Sequence, residues 1–282
     1  MNRLKYLLNR FYKGYNFRER ILHDPIEFPH RYDKPEDIEV VGFIASCFAY
    51  GRVELFKPVI GNILSIMNKS PYIFLLEFNA GKHGRLFKGV KYRFNENKDI
   101  ICLFYIMGEV LRKHKHIDVV FKRFYKQNDP DTGNALAGFI DYISSMDTSK
   151  VYGSNIRPAG LVQFFPSPGK GSACKRMNLF LRWMIRDKDI DFGIWKGIPK
   201  NKLVIPLDTH IARISRCLGF TKRKADNWKT AAEITDALRK LDPEDPLKYD
   251  FAMCHHGISG LCSSRKLKEK AGCKECALKS LT

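Results

Sequence analysis

Apolar residues in this chain recur mostly at helical intervals, and no alternating apolar–polar run reaches a useful strand length. Leu4, Leu7, Leu8 and Phe11 stand at i, i+3, i+4 and i+7, the stripe of a short amphipathic helix. Pro35, Glu36 and Asp37 suit a first helical turn, because proline has no amide to lose and acids favour the positive end. The segment that follows, 38–50, is apolar nearly all round, so its helix is expected to be central. Further helices are predicted at 60–67, 101–111, 119–125 and 135–145. With no internal repeat and no low-complexity tract, the expected fold class is all-α.

Two irregular stretches break this pattern. The first, 152–171, holds Gly153, Pro158, Gly160, Pro166, Pro168, Gly169 and Gly171. Within it, 159–165 reads as a short helix and 166–171 as a tight turn. Helix 172–186 follows, with an apolar stripe of Ala173, Met177, Phe180, Leu181 and Met184. Lys175, Asn178, Arg182 and Arg186 fall on its opposite face. The second irregular stretch, 187–207, leads to a helix at 209–218 closed by Gly219.

Charge narrows the partner. Among 282 residues, 49 Lys and Arg face 30 Asp and Glu, a net charge of +19. Such a surplus points to a polyanion, with nucleic acid favoured. The 44% hydrophobic and 28% charged content is ordinary for a globular chain of one large domain or two packed subdomains. The longest tempting apolar run, 40–51, falls short of the roughly 20 residues a membrane span needs. Charge interrupts the first residues, against a secretory signal. Eight cysteines are too dilute for a disulfide scaffold. The expected location is cytoplasmic, with no membrane partner.

A helix, a Gly-x-Gly turn and a second helix make a phosphate-binding device. Glycines admit a phosphate close to the backbone, and amides at the next helix's start attract it. Gly169, Lys170, Gly171, Ser172 and Arg176 form the expected backbone-binding set, holding nucleic acid without reading its sequence.

The run Pro206-Leu207-Asp208-Thr209-His210-Ile211-Ala212-Arg213-Ile214 resembles the signature of the helix-hairpin-helix DNA glycosylase superfamily. That family carries a helix-hairpin-helix, a Gly/Pro-rich loop, and an aspartate opening a helix as Val-Asp-Thr-His-Val-x-Arg-Val. The clear resemblance spans 166–219, with a weaker echo at 38–52. The block Ser172-Ala173-Cys174-Lys175-Arg176 through Met184 is similar to an uncharacterised bacterial family. The 33 residues from Lys175 to Asp208 resemble the longer spacing of the archaeal-type 8-oxoguanine glycosylase/lyases.

The resemblance implies a single glycosylase-like domain over 1–282, of two helical subdomains with a basic cleft between them. The helix-hairpin-helix would occupy 159–186, the aspartate helix 208–218 and a cysteine-containing tail 254–282. It implies a monomeric base-excision repair enzyme acting on double-stranded DNA that contains a damaged base, 8-oxoguanine above all. The alternative is a non-catalytic DNA- or RNA-binding protein on the same scaffold. Lys175 would attack the sugar C1′ to form a Schiff base, and Asp208 would stabilise the cation that develops there. In the family's common pattern the lysine takes the slot of Ala173, two residues earlier. Cationic neighbours and the helix start are expected to depress the Lys175 pKa. His210 is read as structural.

Many members of the superfamily end in a four-cysteine iron–sulfur loop. Cys273-x2-Cys276 matches its central pair, Cys262 and Cys254 could add thiolates, and Thr282 replaces the last cysteine. No cofactor is the expectation, with an iron–sulfur cluster or zinc the alternative at Cys254, Cys262, Cys273 and Cys276. Base flipping needs a wedge, for which Phe48, Tyr50 and Arg52 are the candidates, with Trp183, Trp195, Tyr92 and Phe94 the candidates to stack on a base. Lys91-Tyr92-Arg93-Phe94 interleaves cations and aromatics as a nucleic-acid surface does.

Overall fold

The computed structural model describes residues 2–259, and they form an all-α protein. No strand occurs among them; two isolated bridges pair Tyr92 with Asn95 and Ser172 with Asn227. The larger helices are α1 (Asn2–Lys13), α2 (Pro35–Phe48), α3 (Val53–Met67), α4 (Asn97–His114) and α5 (Gly133–Ser144). Then come α6 (Ala159–Phe164), α7 (Lys175–Ile185), α8 (Thr209–Cys217), α9 (Trp228–Arg239) and α10 (Asp250–Ile258). No helix among the described residues is long and apolar enough to cross a membrane.

As expected, α2 is central, and it is buried from Asp37 to Phe48. Its two buried carboxylates are satisfied by backbone amides and by side-chain donors of neighbouring segments. Asp37 accepts the Tyr72 amide at 2.9 Å and the Ser70 hydroxyl at 3.1 Å. Glu39 accepts the amides of Ile117 and Asp118 at 3.0 Å and the Trp195 indole at 2.7 Å. These bonds clamp the starts of two short helices, Pro71–Leu76 and Ile117–Lys122, where free amides welcome a negative charge. The second of these answers to the segment predicted at 119–125.

Buried apolar residues gather in two clusters. The larger is built on α2, α4, α5 and α7, with Val41, Ile44, Phe104, Phe139 and Phe180 among its members. The smaller joins Leu8 of α1 to Ile205, Ile211 and Ile214, Ile234 and Leu238 of α9, and Met253 of α10. Helix α10 bridges the two, giving Phe251 to the first and Met253 to the second.

Helix α7 departs from its amphipathic reading. Asn178, Arg182 and Arg186, expected on an open polar face, are buried. Arg182 pairs with Asp191 at 3.2 Å and with Asp250. Arg186 pairs with Asp189, Asp191 and Asp245 at 2.7–3.0 Å. Carboxylates from the loop that follows α7 and from the distant 245–250 segment cover this face, so α7 is enclosed from Arg176 to Ile185.

Candidate active site

The turn before α7 is built as its glycines suggest. Pro168–Lys170 form a short 3-10 turn, and Gly171 sits at φ +77°, where a side chain is strained. The Gly171 carbonyl accepts the Trp228 amide at 3.2 Å, which ties the turn to the start of α9. Chain reversal here brings the first residue of α7, Lys175, back toward α8.

Asp208 caps α8. Its Oδ1 accepts the amides of His210 and Ile211, both at 2.9 Å, as an N-cap side chain does. Its Oδ2 is left to face Lys175, whose Nζ lies 3.4 Å away. The two expected reactive residues, 33 positions apart, therefore meet. Asp208 is 12% exposed and Lys175 37%, so the pair is open to solvent on the lysine side. Cys254 of α10 donates its thiol to the same Oδ2 at 3.5 Å.

The electrostatics run opposite to the sequence expectation. Burial draws the Lys175 pKa down, but the Asp208 carboxylate foremost, with help from Asp24, outweighs it and the net shift is upward. Lys170 and Arg176 do not set this value, since the lysine meets a carboxylate before it meets a cation. Burial, with the Asp208 charge, pushes the Cys254 thiol well above its ordinary range and keeps it a neutral donor. His210 is half-buried with Nδ1 3.4 Å from Arg213, in keeping with a structural role.

The pair opens into a cleft of about 810 Å³. Its lining draws on the α2–α3 corner (Tyr50, Gly51, Arg52), on Ser172 to Arg176, on Pro206 and Asp208 to His210, and on α10 (Asp250, Phe251, Cys254). The expected basic cleft is not what lines it. Four cations, Arg52, Lys175, Arg176 and Arg182, stand with five carboxylates, Asp24, Glu54, Asp208, Asp226 and Asp250. At the floor, burial raises the Asp250 carboxyl to about 6 against the pull of Arg182. Burial would also raise Asp24, but His255, the Ile26 amide and Arg182 bring it below its usual value.

Other expected residues divide. Gly169, Lys170 and Gly171 are exposed on the turn, and Ser172 lines the cleft. Arg176 does not offer its guanidinium to a phosphate. It is buried and bonded to the Cys47 carbonyl at 2.7 Å and to the Gln163 carbonyl and side chain, an internal tie between α2, α6 and α7. Trp183 is 0% exposed within the larger cluster, so it can neither wedge nor stack on a base. Tyr50 lines the cleft, but its hydroxyl donates to Tyr92 O at 3.0 Å and to Asn95, and so braces the wall rather than projecting. Arg52 does project, 80% exposed at the rim and 3.5 Å from Glu54.

Cys262, Cys273 and Cys276 lie outside the described residues. Among the described residues no group of three His, Cys, Asp or Glu side chains could hold a metal ion. The sequence reading missed α9 and α10 and with them Asp250 and Phe251. The apolar spacing of Ala231, Ile234 and Leu238 behind an Asn227 cap would have revealed α9.

A family model described as "Protein of unknown function (DUF2400)" matches residues 24–259. No curated protein matches the chain, and no solved structure does.

Proposed function

The chain belongs to that family of unknown function, and we propose that it is a bifunctional DNA glycosylase and abasic-site lyase of the helix-hairpin-helix type, excising an oxidised purine such as 8-oxoguanine. In this reading α6, the turn and α7 are the hairpin motif, the two apolar clusters are two subdomains, and the cleft receives an extruded base. The protein acts as a monomer on damaged duplex DNA.

The observation that carries the reading is the meeting of Lys175 and Asp208 in one cleft, 3.4 Å apart. The lysine gives a proton up to solvent, to which it is open, and its amine forms a bond to C1′ as the bond from C1′ to the base breaks. The electron pair leaves with the base, which takes up a proton. Asp208 offsets the positive charge that the sugar develops. The bond from C1′ to the ring oxygen then breaks, the amine losing a proton and the oxygen taking one up, to give an imine, and removal of a C2′ proton expels the 3′ phosphate by β-elimination. The exposed turn at Gly169–Gly171 supports a phosphate contact, while Arg176 has no part in it.

Borohydride reduces such an imine to a stable adduct. Incubating the protein with duplexes carrying a panel of lesions under borohydride should yield one trapped species, strongest with 8-oxoguanine. Lys175→Gln should abolish it while leaving DNA binding nearly intact. Absence of any adduct, with duplex binding retained, would favour the binding-only alternative.

A further inference from the structure

The geometry points to Phe94 as the residue that stacks into a DNA duplex beside the cleft, an assignment that rests on the DNA reading above. Tyr92 and Asn95 exchange backbone hydrogen bonds at 3.0 and 2.9 Å, closing a two-residue turn with Arg93 and Phe94 at its tip. Arg93 holds φ at +50°, a conformation such turns ordinarily give to glycine or asparagine. Strain of this kind persists only where the surroundings impose it, and it concentrates where a side chain must be presented.

The surroundings here do impose it. Tyr50 donates to Tyr92 O, and Tyr92 donates back to Tyr50 O. Asn95 is buried and donates to Gly160 O at 2.6 Å. Gly51, at φ +82°, lets the turn approach the cleft corner. A Cβ there would lie 2.6 Å from Arg93 Nη1 and 2.8 Å from the Tyr92 hydroxyl. The turn is thus fixed to the same Tyr50–Arg52 corner that lines the cleft. On this rigid mount the Phe94 ring is 64% exposed, with the Arg93 guanidinium 5.4 Å from its centroid.

A single exposed aromatic is ordinary on a protein surface. An exposed aromatic on a strained tip tied to the cleft's Tyr50–Gly51 corner, with Arg93 against its ring and the exposed Lys91 three residues before it, has the chemistry of a base-stacking probe. The cations meet phosphates, and the ring meets the π-face of a base. Trp183 is buried and the Tyr50 hydroxyl is tied to the turn, whereas the Phe94 ring projects.

The test compares wild type, Phe94→Ala and Phe94→Trp by fluorescence anisotropy on two labelled duplexes, one intact and one with a tetrahydrofuran abasic analogue. A ring that enters the stack prefers the duplex with a gap. Phe94→Ala should lose on the order of tenfold in affinity for the gapped duplex, the usual cost of deleting one stacking contact. Its preference for gapped over intact DNA should fall, its salt dependence should not change, and Phe94→Trp should restore both affinity and preference. Unchanged affinity and preference in Phe94→Ala would overturn the assignment of Phe94 alone. Wild-type protein that binds neither duplex would overturn this assignment together with the glycosylase reading.

Discussion

At the scale of single residues, one carboxylate serves two neighbours. Asp208 holds two amides of α8 with Oδ1 and faces an ammonium with Oδ2. Its charge sustains the upward shift of Lys175 from the ordinary 10.5. A raised lysine stabilises the fold fully below its unfolded value, and that contribution is lost as pH climbs through the folded one. The amine attacks only when neutral, so trapping on DNA with a preformed abasic site should increase with pH through the alkaline range. Asp208→Asn keeps the cap and removes the charge. Base excision should then drop on the order of 10²-fold or more, the range typical for one lost electrostatic stabiliser. The trapping profile of that variant should move to lower pH. A profile that stays in place would mean that Asp208 does not govern the lysine. The meeting of these two residues was legible from the motif. The direction of the lysine's shift was not, because adjacent cations in sequence were nearer to hand than a carboxylate 33 residues away.

At the scale of elements, the site depends on how closely α10 lies against α8. Gly257 permits that approach, since a Cβ there would come within 2.7 Å of the His210 Cβ and 3.1 Å of its ring. Gly257→Ala should cost about 1–3 kcal/mol, as overpacking does, and loosen the start of α8 where Asp208 sits. Thermal unfolding together with trapping yield would register both effects; an unshifted melting temperature would show that α10 adjusts freely. Helices α2, α7 and α8 could be read from their apolar period, but the state of the charges on α7 could not. A helical wheel shows that Arg182 and Arg186 lie opposite the apolar stripe. Only the folded chain brings Asp191, Asp245 and Asp250 over them and turns a solvated face into a buried one.

At the scale of the molecule, the net charge of +19 resides outside the cleft, whose lining is close to balanced. Phosphates therefore have no electrostatic reason to enter it, whereas an uncharged base has donors and acceptors to meet there. Duplex binding should weaken steeply between 50 and 200 mM salt, because surface cations release condensed counterions. Lys170→Ala should lower affinity equally for every sequence and flatten the salt slope by about one unit. Equal binding at both salt concentrations would exclude a phosphate-led encounter. Apolar periodicity foretold an all-α chain and composition raised the expectation of a polyanionic partner, but a sum of charges carries no positions. A basic cleft was thus expected where the lining sets four cations beside five carboxylates.

The double duty of Asp208 links heredity to chemistry. If the proposed reaction is this chain's, a descendant that abandons it is not free to discard the side chain, because α8 still needs its first amides satisfied. Such a chain would drift to Asn, Ser or Thr at that position rather than to an aliphatic residue, and its lysine would drift without restraint. Neutral cappers at 208 beside varied residues at 175 would therefore mark a lineage of folded binders, and the charged pair kept together would mark one of working catalysts.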